Sequence, residues 1–498
     1  MADGVGLRAS PGVMAATCIS TFVVNANTSA VTILLPAISE DVDAPISTLQ
    51  WAVTGYSLVG AACIVTSGAL GDVFGRRRVF LGGLFLFIGS CVLIALSSTG
   101  FGVVGGRAIQ GAAGSTILAC GLSILTIATS GTERLRAVSL WGAAAAAGAA
   151  AGPLVGGLLV DSIGWQGLFW IDAVIAIATV LITVKAVTES RDPNRSRDID
   201  WLGTALVALV LAPLILGVSK GADWGWTSPA TLACFVVSVA SGVAFVFAEQ
   251  RAPSPLVDLK LLRNALLIGS TVGILIGAGT INGLMFLVSL FFQNPATLGM
   301  TPLQAGLATI PATLGLVVLA PVVPRLAARW TSRTVIAGGF VLMAAGFLAL
   351  VMIQPSWGYG AFVIPLVAVA AGMAFSNGPC SSIGTSSVDE AQVGSASGIS
   401  NMARYVGAAV VTALVAAIYD NVSADGIASG KPAATALADA VSRASLLLAV
   451  ISASGIALAL LVARHRPVAP RGIDIAAAAA SGAHTLPVGP ALAAVSSD

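Results

Sequence analysis

The sequence predicts an all-α integral membrane protein with fourteen spans and both termini in the cytoplasm. Three observations predict it. Of the 498 residues, 57% are apolar and only 9% are charged, whereas a soluble protein carries about 25% charged residues. The apolar residues fall into long runs, each close to the ~20 residues that a helix needs to cross about 30 Å of hydrocarbon. The basic residues gather in every second connection between those runs, the pattern that fixes orientation in a bilayer.

On that ruler the spans run over residues 12–36, 49–71, 79–97, 102–127, 138–160, 166–187 and 201–219. They continue over 229–249, 265–292, 303–324, 334–353, 360–382, 398–419 and 441–463. The first run has only Arg8 ahead of it and lacks a small-residue cleavage site, so it reads as a span and not as a removed signal. With the N-terminus inside, 19 of the 24 Lys and Arg residues fall on the cytoplasmic side, and only Lys220 and Lys431 fall on outer loops. One missed helix would invert every later connection, so this asymmetry supports an even number of spans.

Outer segments carry Trp165, the Asp223-Trp224-Gly225-Trp226 cluster, Trp357 and Tyr359, where aromatic rings anchor at a headgroup interface. The longest outer loop is expected over about 420–440, which is small and polar. The cytoplasmic tail, 464–498, is rich in Ala, Gly and Pro beyond Arg471. It has no pattern to bury, and is read as disordered.

Composition also removes whole classes of function. A net charge of +2 gives no reason for a nucleic-acid partner. The six cysteines each lie in a different apolar run, and both histidines, His465 and His484, lie in the tail. No metal, no cofactor and no catalytic set of nucleophile and base is implied, so the chain is not read as an enzyme. Four lysines against 20 arginines, with abundant alanine, point to a GC-rich bacterial genome.

A faint internal repeat divides the chain. Ser47-Thr48-Leu49-Gln50 enters the second span as Thr301-Pro302-Leu303-Gln304 enters the tenth. Farther on, Leu326 to Arg333 echoes Leu70 to Arg77 without the acid or the glycines. Repeated halves are a common plan for secondary transporters. The expected organisation is an N-terminal six-helix half at 12–187, two inserted helices at 201–249, and a C-terminal six-helix half at 265–463.

Five groups of residues stand out. Gly68-Ala-Leu-Gly71-Asp72-Val-Phe-Gly75-Arg76-Arg77-Arg78 packs an acid, three arginines and three glycines into one inner turn. Glycines allow a turn too tight for other residues, and Asp72 is placed to accept from arginine or a helix N-terminus, which suits a gating loop. The arginines alone would also serve as a plain cytoplasmic anchor. In the fifth span, Gly148, Gly152 and Gly156 recur every four residues beside Pro153 and Gly157. They allow close helix approach and a bend.

Arg107, within the fourth span, precedes Gln110, Gly111 and Gly114. An arginine there costs about 2.5–3.5 kcal/mol on insertion scales, so it either finds partners in the protein or snorkels to the outer edge. Asp172 is the carboxylate set within a span, the kind of group that takes up and releases a proton in a membrane. Arg404 in the thirteenth span is a lesser candidate for charge pairing. Asn25, Asn27, Trp51, Tyr56, Asn282, Phe286, Phe375 and Asn377 are candidates for the lining of a substrate cavity, and most of them would serve equally as packing residues.

These residues resemble the major facilitator superfamily. The 68–78 segment resembles its cytoplasmic loop motif, and Gly148 to Gly157 is similar to the motif of its proton-coupled exporters. Arg107 to Gly114 resembles its fourth-helix motif, whose arginine is implicated in proton transfer. Gln50-Trp51 with Tyr56, Asp200-Trp201-Leu202-Gly203, Trp224-Gly225-Trp226, Pro255-Leu-Val-Asp258-Leu and Pro302-Leu-Gln-Ala-Gly306-Leu look like the fourteen-span drug:proton antiporter branch.

Two departures carry information. The family's first helix commonly holds an acid nine residues before a proline, and counting back from Pro36 gives Asn27. Its sixth-helix pattern ends in an asparagine where this chain has Asp172. An acid is lost from one place and gained in another, so Asp172 is expected to carry protonation, with Arg107 as its companion in proton coupling.

What the resemblance implies is a major facilitator fold, with two six-helix bundles plus two linking helices. It also implies a proton-driven antiporter of drugs, antibiotics or other amphipathic toxic compounds. Such a protein sits in the bacterial cell (inner) membrane as a monomer, its partners being lipid, protons and a small-molecule substrate. The alternative is an exporter of the same fold for a specific metabolite or siderophore, or an uncoupled facilitator.

Overall fold

The computed structural model describes residues 9–129, 131–191, 200–253, 255, 257, 259–319, 322–323, 326, 329–388 and 393–462. The predicted tail lies outside them. Among the described residues all regular structure is helical. The first half holds α1 (Pro11–Asp41), α2 (Ile46–Phe74), α3 (Arg76–Ala95), α4 (Gly100–Ile127), α5 (Gly131–Ile163) and α6 (Gln166–Ala186). Next come α7 (Trp201–Trp224) and α8 (Pro229–Glu249). The remainder holds α9 (Ala265–Gln293), α10 (Pro302–Ala308), α11 (Ile310–Leu319), α12 (Ser332–Val351), α13 (Gly360–Ser386), α14 (Val393–Ala428) and α15 (Ala433–Val462).

Helix starts follow local chemistry. The side chains of Ser10, Thr99, Asp200, Ser228, Asn264, Thr301 and Thr331 each accept a backbone N–H that the first turn leaves without a partner. Among the described residues, 12 helices are long and apolar enough to span a membrane, and α5, bent by 40° near Ala150, makes a thirteenth. Pro153 explains that bend, because it lacks the N–H that would reach the carbonyl of Ala149. The predicted tenth span is interrupted, with α10 and α11 meeting at Thr309. There Pro311 cannot donate back to Leu307. The set is compatible with fourteen spans in a multi-pass membrane protein.

Two details differ from the sequence reading. Gly68 and Gly71 belong to α2, and the inner turn is made by Gly75 alone, at φ 108°. An Asp72–Arg76 pair at 2.7 Å stitches across that turn. The expected outer loop at 420–440 is mostly helical hairpin. Alanines sustain helix among polar neighbours, so α14 runs to Ala428 and α15 begins at Ala433, with Gly430 turning at φ 82°.

Helix α1 lies against α4, α5 and α6, while α3 lies on α4 and α6. In the second half α9 packs on α13, α14 and α15, and α12 on α13 and α15. The α7–α8 hairpin docks through α7 onto α2 and α14. Helix α8 leaves Val236, Val237, Val239, Val243 and Phe247 exposed, as a lipid-facing surface requires.

Contacts between the halves are of two kinds. The second helix of one half meets the fifth of the other twice, as α2 on α14 and as α5 on α10 and α11. The other set closes the outer ends, where Ser289 Oγ donates to the carbonyl of Thr32 at 2.7 Å and Gln293 Nε2 to that of Ile33 at 3.0 Å.

Candidate functional site

The site is built where α1, α2, α4 and α6 converge. Helix α5 holds α1 in place because its glycines admit α1 backbone. A Cβ on Gly148 would stand 2.2 Å from the Phe22 carbonyl oxygen, and one on Gly152 would stand 2.3 Å from that of Ala26. Helix α4 approaches α2 for the same reason, since a Cβ on Gly111 would meet the Tyr56 carbonyl oxygen at 2.2 Å. Those approaches carry Asn27, Tyr56 and Arg107 into one buried cluster.

Asn27 is its centre. Its Oδ1 accepts from Arg107 Nη1 at 2.6 Å, and its Nδ2 donates to Asp172 Oδ2 at 2.6 Å. The Arg107 Nε donates to the Ala52 carbonyl at 3.0 Å, and its guanidinium also reaches Gln110 Oε1. Gln110 in turn donates to Cys91 Sγ at 3.1 Å. The guanidinium carbon lies 4.3 Å from the centroid of the Tyr56 ring, within cation–π range. Asn27, Arg107 and Gln110 have no accessible surface and Asp172 has 4%.

Arg107 therefore points inward and does not snorkel, and Asp172 is withheld from the outer interface. No ion pair joins Arg107 directly to Asp172 among the described residues. The amide of Asn27 stands between them. Arg107 Nη2 and the Tyr56 hydroxyl have no hydrogen-bond partner among the described residues, so the cluster keeps unused polar capacity. That suits a site with a second arrangement.

The fifth helix also forms one of the contacts between the halves. A Cβ on Gly157 would stand 2.6 Å from the Pro302 carbonyl oxygen, and one on Gly306 would stand 2.3 Å from that of Pro153. The two backbones touch reciprocally near the outer ends of α5 and α10. Gly306, quoted in the sequence only for its motif, is the partner that this contact needs.

At the inner turn, the structure adds a residue that sequence reasoning passed over. Glu189, just beyond α6, accepts from the Arg77 N–H at 3.1 Å and lies 3.6 Å from Arg78 Nε. The Arg76 N–H donates to the Ser190 carbonyl at 2.8 Å. A Cβ on Gly75 would meet the Glu189 carboxylate at 2.6 Å. Glu189 sits in a charged connection with no motif around it, so its sequence carried no signal.

The cavity candidates scatter. Trp51 faces Pro213, Leu216 and Cys234 of the inserted helices and not the space between the halves. Phe286 is buried in the main core, and Phe375 packs beside Val323 and Val335. Asn25 and Asn282 donate to carbonyls four residues back in their own helices, those of Thr21 and Ala278. Asn377 lies beside Arg404. Trp165 is buried, donating to Asp41 Oδ2 at 2.9 Å, so it ties α6 to α1 instead of lying at the headgroups. Trp224 and Trp226 are exposed, as an interfacial belt requires.

Residues 17–412 match the model of the Major Facilitator Superfamily. The chain belongs to that superfamily. This major facilitator protein is 31% identical over 386 residues to the multidrug efflux pump LfrA of Mycolicibacterium smegmatis, covering 77% of this chain and 76% of that protein. It is 29% identical over 411 residues to the tetracenomycin C resistance and export protein of Streptomyces glaucescens, covering 82% and 76%. Among solved structures, an auto-inhibited POT family peptide transporter superposes with a TM-score of 0.69 over 93% of this chain and 98% of its own. At 13% identity that likeness speaks for the fold alone. The chain is a multi-pass transporter of the bacterial cell (inner) membrane and not an enzyme.

Proposed function

We propose that this major facilitator protein exports drugs or antibiotics by alternating access, in exchange for protons that bind at Asp172. The observation that carries this reading is the buried line Asp172–Asn27–Arg107. An ionised Asp172 holds the Asn27 amide by accepting its N–H, and the amide oxygen then holds Arg107. Protonation weakens that acceptor. Asn27 is then free to turn, and Arg107 loses one of its anchors beside Tyr56. A local proton event is thereby converted into a change of packing between α1, α2, α4 and α6.

The exporters named among the relatives, a multidrug pump and a tetracenomycin C export protein, support the substrate class. One proton moving inward gains about 2.3 kcal/mol per 100 mV, enough to bias a two-state equilibrium. The outer seal of α5 on α10 and the inner turn at Asp72 to Arg77 are the gates of this cycle. One chain carries both halves, so the working unit is a monomer.

The test is transport in proteoliposomes driven by an imposed pH gradient. Asp172→Asn should bind substrate yet lose the gradient-driven component. Full gradient-driven transport by that variant would sink the proton assignment and point to Arg107 or the inner-turn groups as the proton carrier.

A further inference from the structure

Arg404 is an ionisable side chain within the spans that the proton site does not use. It lies 11 residues into α14, about 16 Å along the helix at 1.5 Å per residue. Its direction follows from its neighbours. Val411, seven residues on and thus on the same face, packs on α9, where its side chain stands 2.5 Å from a Cβ placed on Gly279. Tyr405, about 100° around the helix, packs on α2. Its ring lies 2.7 Å from a Cβ placed on Gly60, and 6.4 Å from the Tyr56 ring centroid to centroid. Arg404 therefore points between α9 and α2, into the space between the two halves.

There it is exposed. Since α1–α9 and α5–α10 contacts close the outer ends, the space it lines opens toward the inner side. Its hydrogen bond to Asn377 Oδ1 of α13 is long, at 3.5 Å. No described carboxylate pairs with it. Asp172, the acid within the first-half spans, is turned away behind Asn27.

Resting on the reading of this chain as an exporter, we propose that Arg404 and Asn377 form a substrate subsite for an acidic group, a carboxylate or phenolate, on the exported compound. The guanidinium fork matches the two oxygens of a carboxylate. Asn377 spends its oxygen on Arg404 and keeps its N–H donors for the same anion. The neighbouring half-buried Tyr405 ring offers an aromatic face to a planar acid, with the buried Tyr56 ring behind it. Tyr56 also lies under Arg107, so an occupied subsite presses on the proton cluster through Tyr405 and Tyr56.

The experiment compares two xanthene dyes, anionic fluorescein and cationic rhodamine 6G, by fluorescence polarisation on the full chain in nanodiscs without a pH gradient. The unaltered protein should bind fluorescein at least tenfold more tightly than rhodamine 6G. Arg404→Gln should weaken fluorescein at least tenfold and leave rhodamine 6G within twofold, while Arg404→Lys recovers part of the loss. Retained rhodamine 6G binding and an unchanged melting profile show that the variant is folded. Equal loss of both dyes, no loss of either, or no fluorescein preference in the unaltered protein would overturn the subsite. Gradient-driven export of fluorescein from proteoliposomes by the unaltered protein separates this proposal from the exporter reading. Fluorescein binding through Arg404 without any gradient-driven export would refute the exporter reading and leave the subsite standing.

Discussion

An amide set between an arginine and a carboxylate accepts from one and donates to the other, so both charges fix its orientation. Removing the amide leaves two buried charged groups without their main partners. A buried group left without its hydrogen-bond partner costs about 1–3 kcal/mol, and more when it is charged, which makes Asn27→Ala a severe change. Its thermal unfolding should drop by several degrees and its gradient-driven transport should be lost together. Asn27→Asp acts differently. It gives Arg107 a direct carboxylate and places a second acid beside Asp172, where two like charges disfavour joint ionisation. The expected outcome is retained folding with more protons moved per substrate, read from the reversal potential of transport in proteoliposomes. The sequence marked Asn27, Arg107 and Asp172 separately, each as a departure or an expensive burial. Their contact was not legible, because 80 and 145 residues separate the partners and only helix packing brings them together.

Helix α5 is where glycine spacing is turned into a seal. The stripe Gly148, Gly152, Gly156 was read as permitting close approach, and the structure adds that its partner is α1. The adjoining Gly157 and Pro153 meet α10. A branched side chain at Gly306 would drive into the Pro153 carbonyl, so Gly306→Val should hold the outer ends apart. A single cysteine placed near that contact should then react with an impermeant thiol reagent from outside more than tenfold faster, while substrate binding persists. Unchanged labelling would show that this contact does not close the outer side. The same reasoning applies at Gly75, where φ is 108° and a Cβ would meet Glu189. Gly75→Ala should destabilise by about 1–3 kcal/mol, the usual cost of a residue forced into a sparsely populated backbone region. That loss is measurable as a lowered melting temperature.

Across the whole molecule, the weak repeat becomes a physical equivalence. The sequence aligned Arg77 with Arg333 on a short echo. In the structure Arg77 Nη2 donates to the Val184 carbonyl at 2.8 Å and Arg333 Nη2 to the Leu460 carbonyl at 3.1 Å. Each arginine thus ties its half's inner turn to the last turn of a late helix, α6 in one case and α15 in the other. The halves differ in what surrounds that tie, since Asp72 and Gly75 belong to the first alone. Asp72→Ala should therefore slow switching between inward and outward states, read by single-molecule FRET between the halves, and leave substrate affinity within a few-fold. Equal loss of both would make Asp72 merely structural.

Length and hydropathy determined the class and the span positions, and charge placement set the expected orientation. These depend on local composition and on the bilayer's thickness, both written along the chain. Family membership was legible for a similar reason, because its motifs are short and contiguous. Tertiary structure alone decided that Trp51 faces the inserted helices, that Asn27 joins an acid to an arginine, and that Arg404 meets Asn377 of another helix. Each of those facts depends on which faces of separate helices meet, and a single strand of sequence records only the face, never its partner.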